Sequence, residues 1–434
     1  MTVEIEVKFI ANDQAVQALP TTLAQWPHQA FPAQSLTNIY FETADNQLRR
    51  WDMGLRIRGW DTEFEMTLKT AGQTVGGLHQ RAEYNVPLQQ AVLDIAQLPA
   101  DVWPAGTDVS ALQQALKPLF STHFVRTTWL VTYLNSEIEV AFDHGEVVAG
   151  ELTTPLNEIE LELKSGERDD LLAFAAQLAT LPGLRLGSQS KAARGYWLAQ
   201  GAPERQLRPF PVLAIAPKSS VEQGMQAALQ LALQQWQYHE ELWLQGNKQA
   251  RKGIEDALEA IRQVFTLCGA LVPRKANSEL RQKLTLLEEQ LASADVQAEI
   301  VNTPISVDAQ LALTHWLVTA HWQSFVDEKA KKRLADSFKR FADVMLGRIA
   351  ADLRDTFTQV TLLSAFQDKQ LRLTRQILAA KLLAGAYDQH AVEAWLTQWQ
   401  QLSQAITYSD YRLAKESSQA AIRLAPFWKS SSSQ

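Results

Sequence analysis

The first two hundred residues of the chain alternate between charged and apolar positions. At the start, Glu4, Glu6 and Lys8 alternate with three apolar residues, so in a strand the charges would share one face. Segments with this period of two predict nine strands, at residues 3–10, 37–43, 54–60, 63–70, 79–87, 125–134, 136–143, 146–152 and 157–164. Helical patterns interrupt them at 12–25, 108–120 and 168–181. This part of the chain is therefore predicted to be an α+β domain.

The pattern changes after residue 202. Four prolines lie between Pro203 and Pro217, and the stretch that they bracket cannot be helical. From Val221 onward, Leu, Ala and Gln recur at spacings of three and four, which predicts a run of long amphipathic helices. The predicted division is a first domain at 1–202, a Pro-rich linker at 203–217 and an all-α helical-bundle domain at 218–434. Ser430–Ser433 are predicted to form a frayed tail.

The alternating charge recurs in other predicted strands, where Glu and Arg dominate it. The charged positions are Arg56 and Arg58; Glu63, Glu65 and Lys69; Arg81 and Glu83; Glu137, Glu139 and Asp143; and Glu158, Glu160, Glu162 and Lys164. For one strand alone, a face exposed to water would explain the pattern. Same-sign neighbours about 7 Å apart repel each other, however, and a surface sheet gains nothing by collecting them. We therefore interpret the charged faces as the lining of an interior.

A charged lining predicts a particular architecture and ligand. A closed antiparallel barrel with a charged interior and an apolar exterior needs helices packed outside it and a ligand within. Carboxylate rows suit hard divalent cations such as Mg²⁺ or Mn²⁺, and Arg and Lys rows suit phosphate oxygens. Both signs together indicate a polyanion that carries metal.

Composition and charge exclude several other classes of protein. The 434 residues are 46% hydrophobic and 21% charged, which is typical of folded globular chains of two or three domains. Residues 1–200 hold 14 Lys and Arg against 24 Asp and Glu, so a general grip on nucleic acid is not expected there. The single cysteine, Cys268, excludes an internal disulfide framework. The N-terminus lacks the pattern of a signal peptide and no apolar run is long enough for a membrane helix, so we expect a cytoplasmic protein without membrane contact.

The ordered set of motifs in the first domain resembles the CYTH superfamily, the triphosphate tunnel metalloenzymes. The matching residues are Glu4-x-Glu6-x-Lys8, Tyr40-Phe41-Glu42-Thr43, Leu55-Arg56-Ile57-Arg58, Glu65-x-Thr67-x-Lys69, Arg81-x-Glu83, Arg126, Asp143, Glu160-x-Glu162-x-Lys164 and Ser190-Lys191-x-x-Arg194-Gly195-Tyr196. The resemblance spans essentially residues 1–200. It implies an eight-stranded antiparallel tunnel that binds a linear triphosphate with divalent metal and hydrolyses its terminal phosphoanhydride.

The resemblance also implies roles for individual residues. It assigns metal binding to Glu4, Glu6, Glu160 and Glu162, with help from Asp143 or Glu139. It assigns phosphate binding to Lys8, Arg56, Arg58, Lys69, Arg81, Arg126, Lys191 and Arg194. Glu4, Glu6, Lys8, Arg56 and Arg58 are the predicted catalytic group. Two ions are expected during turnover, one bridging phosphates and one activating water, so no protein nucleophile is required.

The helical half resembles the CHAD domain, a module associated with polyphosphate. That family carries a His and closely spaced arginines on a helix, whereas the comparable segment 248–259 has no His and interleaves acids with its basic residues. We therefore expect only a weak contact with long-chain polyphosphate. The basic cluster between Lys329 and Arg340 is interpreted as a solvated helix face. Four tryptophans are predicted to be core residues: Trp316, Trp322, Trp395 and Trp399.

The leading hypothesis is an Mg²⁺- or Mn²⁺-dependent hydrolase of inorganic tripolyphosphate that releases pyrophosphate and phosphate. Enzymes of the same superfamily offer three alternatives: a thiamine triphosphatase, a nucleoside triphosphatase and an adenylate cyclase. A binding protein that captures polyphosphate without turnover is a further alternative. The complete carboxylate rows argue against it, because they would weaken pure anion capture.

Overall fold

The computed structural model describes residues 1–293 and 295–429. The predicted tail at Ser430–Ser433 lies outside these residues. Within them, no helix is long and apolar enough to cross a membrane. The described chain divides into two compact units.

The first unit is built on ten strands and five helices that precede residue 200. The strands are β1 (Thr2–Ala11), β2 (His28–Ala30), β3 (Gln34–Glu42), β4 (Gly54–Trp60), β5 (Glu63–Val75), β6 (Leu78–Leu88), β7 (Lys117–Tyr133), β8 (Ser136–Ala149), β9 (Leu152–Ser165) and β10 (Leu184–Leu186). The helices are α1 (Asp13–Leu23), α2 (Gln47–Arg50), α3 (Val109–Ala115), α4 (Arg168–Leu178) and α5 (Lys191–Ala199). The predicted α+β class of this half is confirmed.

Eight of these strands close into an antiparallel barrel. Their order around the barrel is β1-β6-β5-β4-β3-β7-β8-β9, and β9 pairs again with β1. The two short strands lie outside this ring, where β10 pairs with β1 and β2 with β7. Closure pairs every strand of the ring on both sides, which leaves the barrel without a free edge. The predicted eight-stranded antiparallel barrel is confirmed.

The apolar faces of the strands point outward and are covered by helices. Val7 and Phe9 of β1 are fully buried in a cluster that includes Leu19 of α1 and Leu172 of α4. Burying one such side chain contributes about 1.5–3 kcal/mol, so the outer helices supply the core that a charged interior cannot. The inward direction of the charges follows from the same alternation, because Glu6 and Lys8 lie between these apolar positions.

Several elements differ from their predicted bounds. The segments predicted as separate strands at 136–143 and 146–152 form the single strand β8, which runs through Gly145. A Cβ at Gly145 would lie 2.0 Å from the carbonyl oxygen of His123. This glycine therefore allows β8 to lie close to β7 and does not mark a turn. The helix predicted at 108–120 ends at Ala115 because β7 begins at Lys117.

The described chain from Val221 to Lys429 is helical, as predicted. Its helices are α6 (Val221–Leu244), α7 (Ala250–Leu267), α8 (Ser278–Leu291), α9 (Pro304–Val318), α10 (Glu328–Ala335), α11 (Phe338–Phe357), α12 (Leu363–Gln367), α13 (Gln370–Leu383), α14 (Gln389–Thr407) and α15 (Tyr411–Arg423). The four tryptophans predicted to be core residues are each at most 3% exposed.

The boundaries between the two units differ from the predicted division. The first unit comprises Met1–Gln206 together with Asp295–Thr319, and the second begins at Leu207 and resumes at Ala320. The proline-rich segment is not a bare spacer, because Phe210 and Leu213 are buried within the second unit. Lys381 donates a hydrogen bond to the Phe210 carbonyl oxygen at 2.7 Å and accepts one from the Leu213 amide at 3.0 Å.

Helix α9 belongs to the barrel unit although it lies more than a hundred residues beyond the last barrel strand. Val307 and Leu311 are buried in the cluster that covers the outside of the barrel. The Gly183 amide donates to the Asn302 carbonyl oxygen at 2.8 Å, and Arg168 donates to the Val318 carbonyl oxygen at 2.9 Å. The predicted domain at 218–434 is therefore interrupted by a segment that completes the first unit.

Leu311→Ala should destabilise the barrel unit by about 2–4 kcal/mol, because truncation leaves a cavity in a packed cluster. Leu286→Ala is the matched control, since Leu286 on α8 is 53% exposed and its truncation should change stability by about 0.5 kcal/mol or less. Urea denaturation followed by circular dichroism measures both. Equal midpoints for the two variants would contradict the packing of α9 on the barrel.

Candidate active site

The interior of the barrel is a cavity of about 630 Å³ lined mostly by charged side chains. Eleven of the predicted metal-binding and phosphate-binding residues line it: Glu4, Glu6, Lys8, Arg56, Arg58, Lys69, Arg81, Arg126, Glu160, Glu162 and Lys191. So does Glu139, the alternative to Asp143 as an additional metal ligand. Two other predicted residues do not line the cavity. Asp143 is fully buried and pairs with Arg126 and Lys191 of the lining, and Arg194 contacts Glu158 at 3.2 Å.

Strand register sets which charges meet across the wall. On β8, β9 and β1, Glu139 lies opposite Glu162, which in turn lies opposite Glu6. Two residues further along β1, on the same face, Lys8 lies opposite Glu160. Cross-strand neighbours have Cβ atoms about 4.5–5.5 Å apart, so three carboxylates form a row across three strands.

Glu160 of the lining forms a cluster with two further carboxylates, Asp143 and Glu158, which are fully buried. One oxygen from each lies within 4.8 Å of the others, a spacing that would also suit a metal ion. Arg126 donates two hydrogen bonds to Asp143 at 2.7 Å, and its guanidinium lies 2.9 Å from Glu160. Lys191 lies 2.7 Å from Asp143 and 2.9 Å from Glu160 and also pairs with Glu158.

The chain's own cations neutralise this cluster. Lys8 lies 3.3 Å from Glu158 and 2.8 Å from Glu160. Burial alone would raise the pKa of Glu160, but attraction from Lys191, Lys8 and Arg126 holds that pKa well below its usual value. Burial would also raise the pKa of Asp143, but attraction from Lys191 and Arg126 lowers it. A metal ion here would have to share its ligands with these cations.

Glu4 has a different partner. Its carboxylate accepts a hydrogen bond from Lys69 at 2.5 Å. Burial would raise the pKa of Glu4, but the charge of Lys69 lowers it. Lys69 and Arg56 also lie 3.8 Å and 3.7 Å from Glu83, so these four residues form a second paired group on the lining.

Glu6 is poorly compensated by comparison. Burial, reinforced by repulsion from Glu160, raises the pKa of Glu6 to about 7. Its nearest cation is Lys8 at 3.9 Å, and that ammonium lies closer to two other carboxylates. Burial also raises the pKa of the facing Glu162 carboxyl despite its contact with Lys164 at 2.9 Å. These two carboxylates, with Glu139 in the same row, offer oxygen donors of the kind that Mg²⁺ and Mn²⁺ prefer.

Arg58 is the counterpart of Glu6 among the cations. Its Nε donates to the Asn38 side-chain oxygen at 2.9 Å, and no carboxylate lies within ion-pair distance of it in residues 1–293 or 295–429. Burial and repulsion from Arg56 and Arg126 lower the pKa of Arg58 to about 10. The same cavity therefore holds a cation without a carboxylate partner and a poorly compensated carboxylate, which a ligand carrying both signs of charge would satisfy.

Both halves of the chain match known domain families. Residues 2–196 match the family model of the CYTH domain. Residues 227–410 match that of the CHAD domain. The chain carries a CYTH domain followed by a CHAD domain.

Individual relatives match one half of the chain at a time. An inorganic triphosphatase from Haemophilus influenzae is 43% identical over 203 residues, which are 46% of this chain and 55% of that protein. A Hippeastrum protein described as a putative adenylyl cyclase with a dominant triphosphatase activity is 21% identical over 44% of this chain and 95% of its own, with a TM-score of 0.35. The CHAD domain from the plant Ricinus communis is 15% identical over 50% of this chain and 90% of its own, with a TM-score of 0.36.

The lining of the CYTH domain contains residues to which the sequence analysis gave no role. On β6, His79 and Asn85 share the parity of Arg81 and Glu83, and strict alternation could have identified them. Glu158 was recognised only as a member of a charged row, although it pairs with Lys8, Lys191 and Arg194. Its role could not be read from alternation, because these three cations are contributed by β1 and α5.

The raised pKa of Glu6 predicts how the stability of the metal-free protein depends on pH. The folded-state pKa of about 7 lies above the ordinary 4.5, so folding favours the protonated carboxyl. Stability should therefore fall as pH rises from about 4.5 through 7, by up to roughly 3 kcal/mol at about 1.4 kcal/mol per pKa unit. Urea denaturation in EDTA near pH 5 and pH 8 measures the fall.

Glu6→Gln should remove this component of the pH dependence. Glu63→Gln is the matched control, because Glu63 begins the barrel strand β5 and is exposed to water. A Glu6→Gln protein whose stability changes with pH as steeply as that of the control would show that Glu6 is ionised throughout and already compensated.

Proposed function

We propose that the CYTH domain hydrolyses inorganic tripolyphosphate to pyrophosphate and phosphate in its tunnel, with Mg²⁺ or Mn²⁺ as cofactor. The observation that carries this proposal is that one cavity holds both the poorly compensated Glu6 carboxyl and the Arg58 guanidinium, which has no carboxylate partner in the described chain. A polyphosphate with bound metal would neutralise both. The activity named for the Haemophilus relative supports the proposal, although the match spans only about half of that protein's length.

The cations of the lining would hold the phosphate chain. Arg56, Arg58 and Arg126 present planar guanidinium groups that fit two phosphate oxygens at once, whereas Lys8, Lys69 and Lys191 act as point charges. Arg81 completes the lining set. In hydrolysis, water attacks the terminal phosphorus while the bond to the bridging oxygen breaks, and these cations stabilise the negative charge that develops on the departing pyrophosphate. Arg194 does not line the cavity and would act indirectly, by pairing with Glu158.

The carboxylates Glu4, Glu6, Glu160 and Glu162 would hold the metal, and Asp143 would contribute from the buried cluster. When bound, a divalent ion supplies charge neutralisation on phosphate oxygens and lowers the pKa of coordinated water. Glu6 and Glu162 fit this role best, because burial has raised the pKa of both and neither forms a close pair with a lining cation other than Lys164.

The tunnel favours an inorganic substrate over a nucleotide or thiamine triphosphate. Of the side chains that line it in the described chain, only Tyr40 and His79 are aromatic, and neither is free. Tyr40 stacks on Phe120 with ring centroids 4.6 Å apart, and the His79 ring bonds to the Gly187 carbonyl oxygen at 3.0 Å. A base or thiazolium ring is commonly bound by stacking on an aromatic side chain, and both of these rings are already engaged.

A substrate panel tests the proposal directly. Phosphate release should be fast with tripolyphosphate and Mg²⁺, at least tenfold slower with ATP or thiamine triphosphate, and absent with EDTA. Cyclic AMP production from ATP would favour the cyclase alternative. Tight binding of tripolyphosphate without phosphate release under any metal condition would instead favour the non-catalytic binding protein.

Arg58→Ala should lower kcat/KM for tripolyphosphate by about ten- to a hundredfold, since a charge-assisted contact is worth about 1.5–3 kcal/mol. Arg58→Lys should recover only part of the loss, because an ammonium cannot reproduce the planar fork. Arg50→Ala is the matched control, because Arg50 pairs with Asp45 at the surface and is half exposed. An Arg58→Ala protein as active as the control would show that this guanidinium does not bind substrate.

For the CHAD domain we propose a weak, salt-sensitive contact with long-chain polyphosphate. Two of the three basic residues of the segment 248–259, which departs from the family pattern, are already paired along α7. Arg251 bonds to Glu255 at 3.0 Å, and Lys252 pairs with Asp256. These pairs reduce the positive charge available to a polyanion.

A further inference from the structure

Two segments of the CYTH signature have no role in the proposed chemistry. Glu42 ends β3 and Thr43 follows it, and Gly195 and Tyr196 lie on α5, about 150 residues later. None of the four lines the tunnel. The structure nevertheless brings them together, because the Tyr196 hydroxyl donates a hydrogen bond of 2.5 Å to the Glu42 carboxylate.

Glu42 is a buried carboxylate held by neutral donors. It is 3% exposed, and none of its contacts in the described chain is an ion pair. One carboxylate oxygen accepts the amides of Thr43 and Leu48 at 2.8 and 2.9 Å, and the other accepts the Arg49 amide at 2.9 Å and the Tyr196 hydroxyl. This arrangement fixes the carboxylate in place, so it is a rigid anchor for the phenol.

Helix α5 is fitted closely to the wall around that anchor. A Cβ at Gly195 would lie 2.0 Å from the Phe120 ring, so glycine is needed for the helix to approach β7. Phe120 packs edge-on against Tyr196 at 5.3 Å and stacks on Tyr40. Rotation of α5 about its axis would break the phenol hydrogen bond and this ring contact together.

The first turn of the same helix contributes a charged residue to the tunnel lining. Lys191 is its first residue, is 5% exposed, and lines the cavity while it pairs with Asp143, Glu158 and Glu160. Five residues separate Lys191 from Tyr196, which is about 7.5 Å along the helix axis. The orientation of the helix fixed at Tyr196 therefore sets where the Lys191 ammonium lies.

We propose that the Glu42–Tyr196 hydrogen bond positions Lys191 for binding of the phosphate chain. Glu42 and Tyr196 are positioning residues that act through Lys191 and do not touch substrate. This inference rests on the proposed function for the identity of the substrate. It gives the two motif segments a shared role, one as the anchor and the other as the part of α5 that it holds.

Tyr196→Phe tests the inference because it removes only the hydroxyl and keeps the ring against Phe120. It should raise amide hydrogen exchange in α5 and increase KM for tripolyphosphate by roughly five- to tenfold, with a smaller change in kcat. Tyr387→Phe is the matched control, since Tyr387 donates a similar bond of 2.7 Å to Asp343 in the helical unit. The control should leave α5 exchange and KM unchanged.

A second arm separates positioning from general loss of folding. In a Lys191→Ala background, Tyr196→Phe should cause no further loss of kcat/KM, whereas a purely structural defect would lower kcat/KM by the same factor in both backgrounds. Glu42→Gln should reproduce the Tyr196→Phe effect without adding to it. Additive losses, or unchanged α5 exchange in Tyr196→Phe, would overturn the inference.

The measurements also keep this inference distinct from the proposed function. A wild-type protein that neither binds nor cleaves tripolyphosphate would contradict the proposed function. Amide hydrogen exchange of α5 in Tyr196→Phe would still test whether the Glu42–Tyr196 hydrogen bond holds the helix. A wild-type protein that cleaves tripolyphosphate, with normal KM in Tyr196→Phe despite faster α5 exchange, would overturn the positioning role alone.

Discussion

The pairing of β1 with both β6 and β9 is the constraint on which the tunnel depends. An open sheet with the same strands would leave its charged face in water, where screening makes like-charge rows inexpensive. Closure brings Glu6 against Glu162 and Lys8 against Glu160, so that Glu6 and Lys8 are buried and the two facing carboxylates are partly buried. The electrostatics of the interior therefore follow from one strand pairing between residues about 150 positions apart.

Burial of so many charges is tolerated because most of them are paired. Isolated charges in a low-dielectric interior cost several kcal/mol each, and well-placed partners offset that cost. Lys8, Arg126 and Lys191 meet this condition by sharing three carboxylates. Glu6 and Arg58 are the exceptions, because neither has a close partner of opposite charge. Burial therefore raises the pKa of Glu6 and lowers that of Arg58, which in both cases favours the neutral form. Perturbed groups of this kind mark functional sites more often than structural ones.

The outer layer makes a charged interior possible. A barrel lined with carboxylates and guanidinium groups has no apolar core of its own, so its hydrophobic stabilisation must come from the helices outside. Val7, Phe9 and Leu161 face those helices, and α9 adds Val307 and Leu311 from a distant part of the chain. Helix α5 combines this packing with chemistry, since it buries Tyr196 in the outer layer and delivers Lys191 to the tunnel.

The sequence by itself determined the barrel, the direction of its side chains and the helical second half. Alternation is a local property, so Glu4, Glu6, Arg56 and Arg58 could be placed on the inner face before any pairing was known. Tertiary structure decided which charges are neutralised, because Glu158 meets Lys8 and Lys191 only after β9, β1 and α5 come together. It also decided that α9 completes the barrel unit and that Glu42 holds Tyr196. Those contacts join different elements, from 33 to 154 positions apart in the chain. A repeating pattern within one element carries no information about the element that will pack against it.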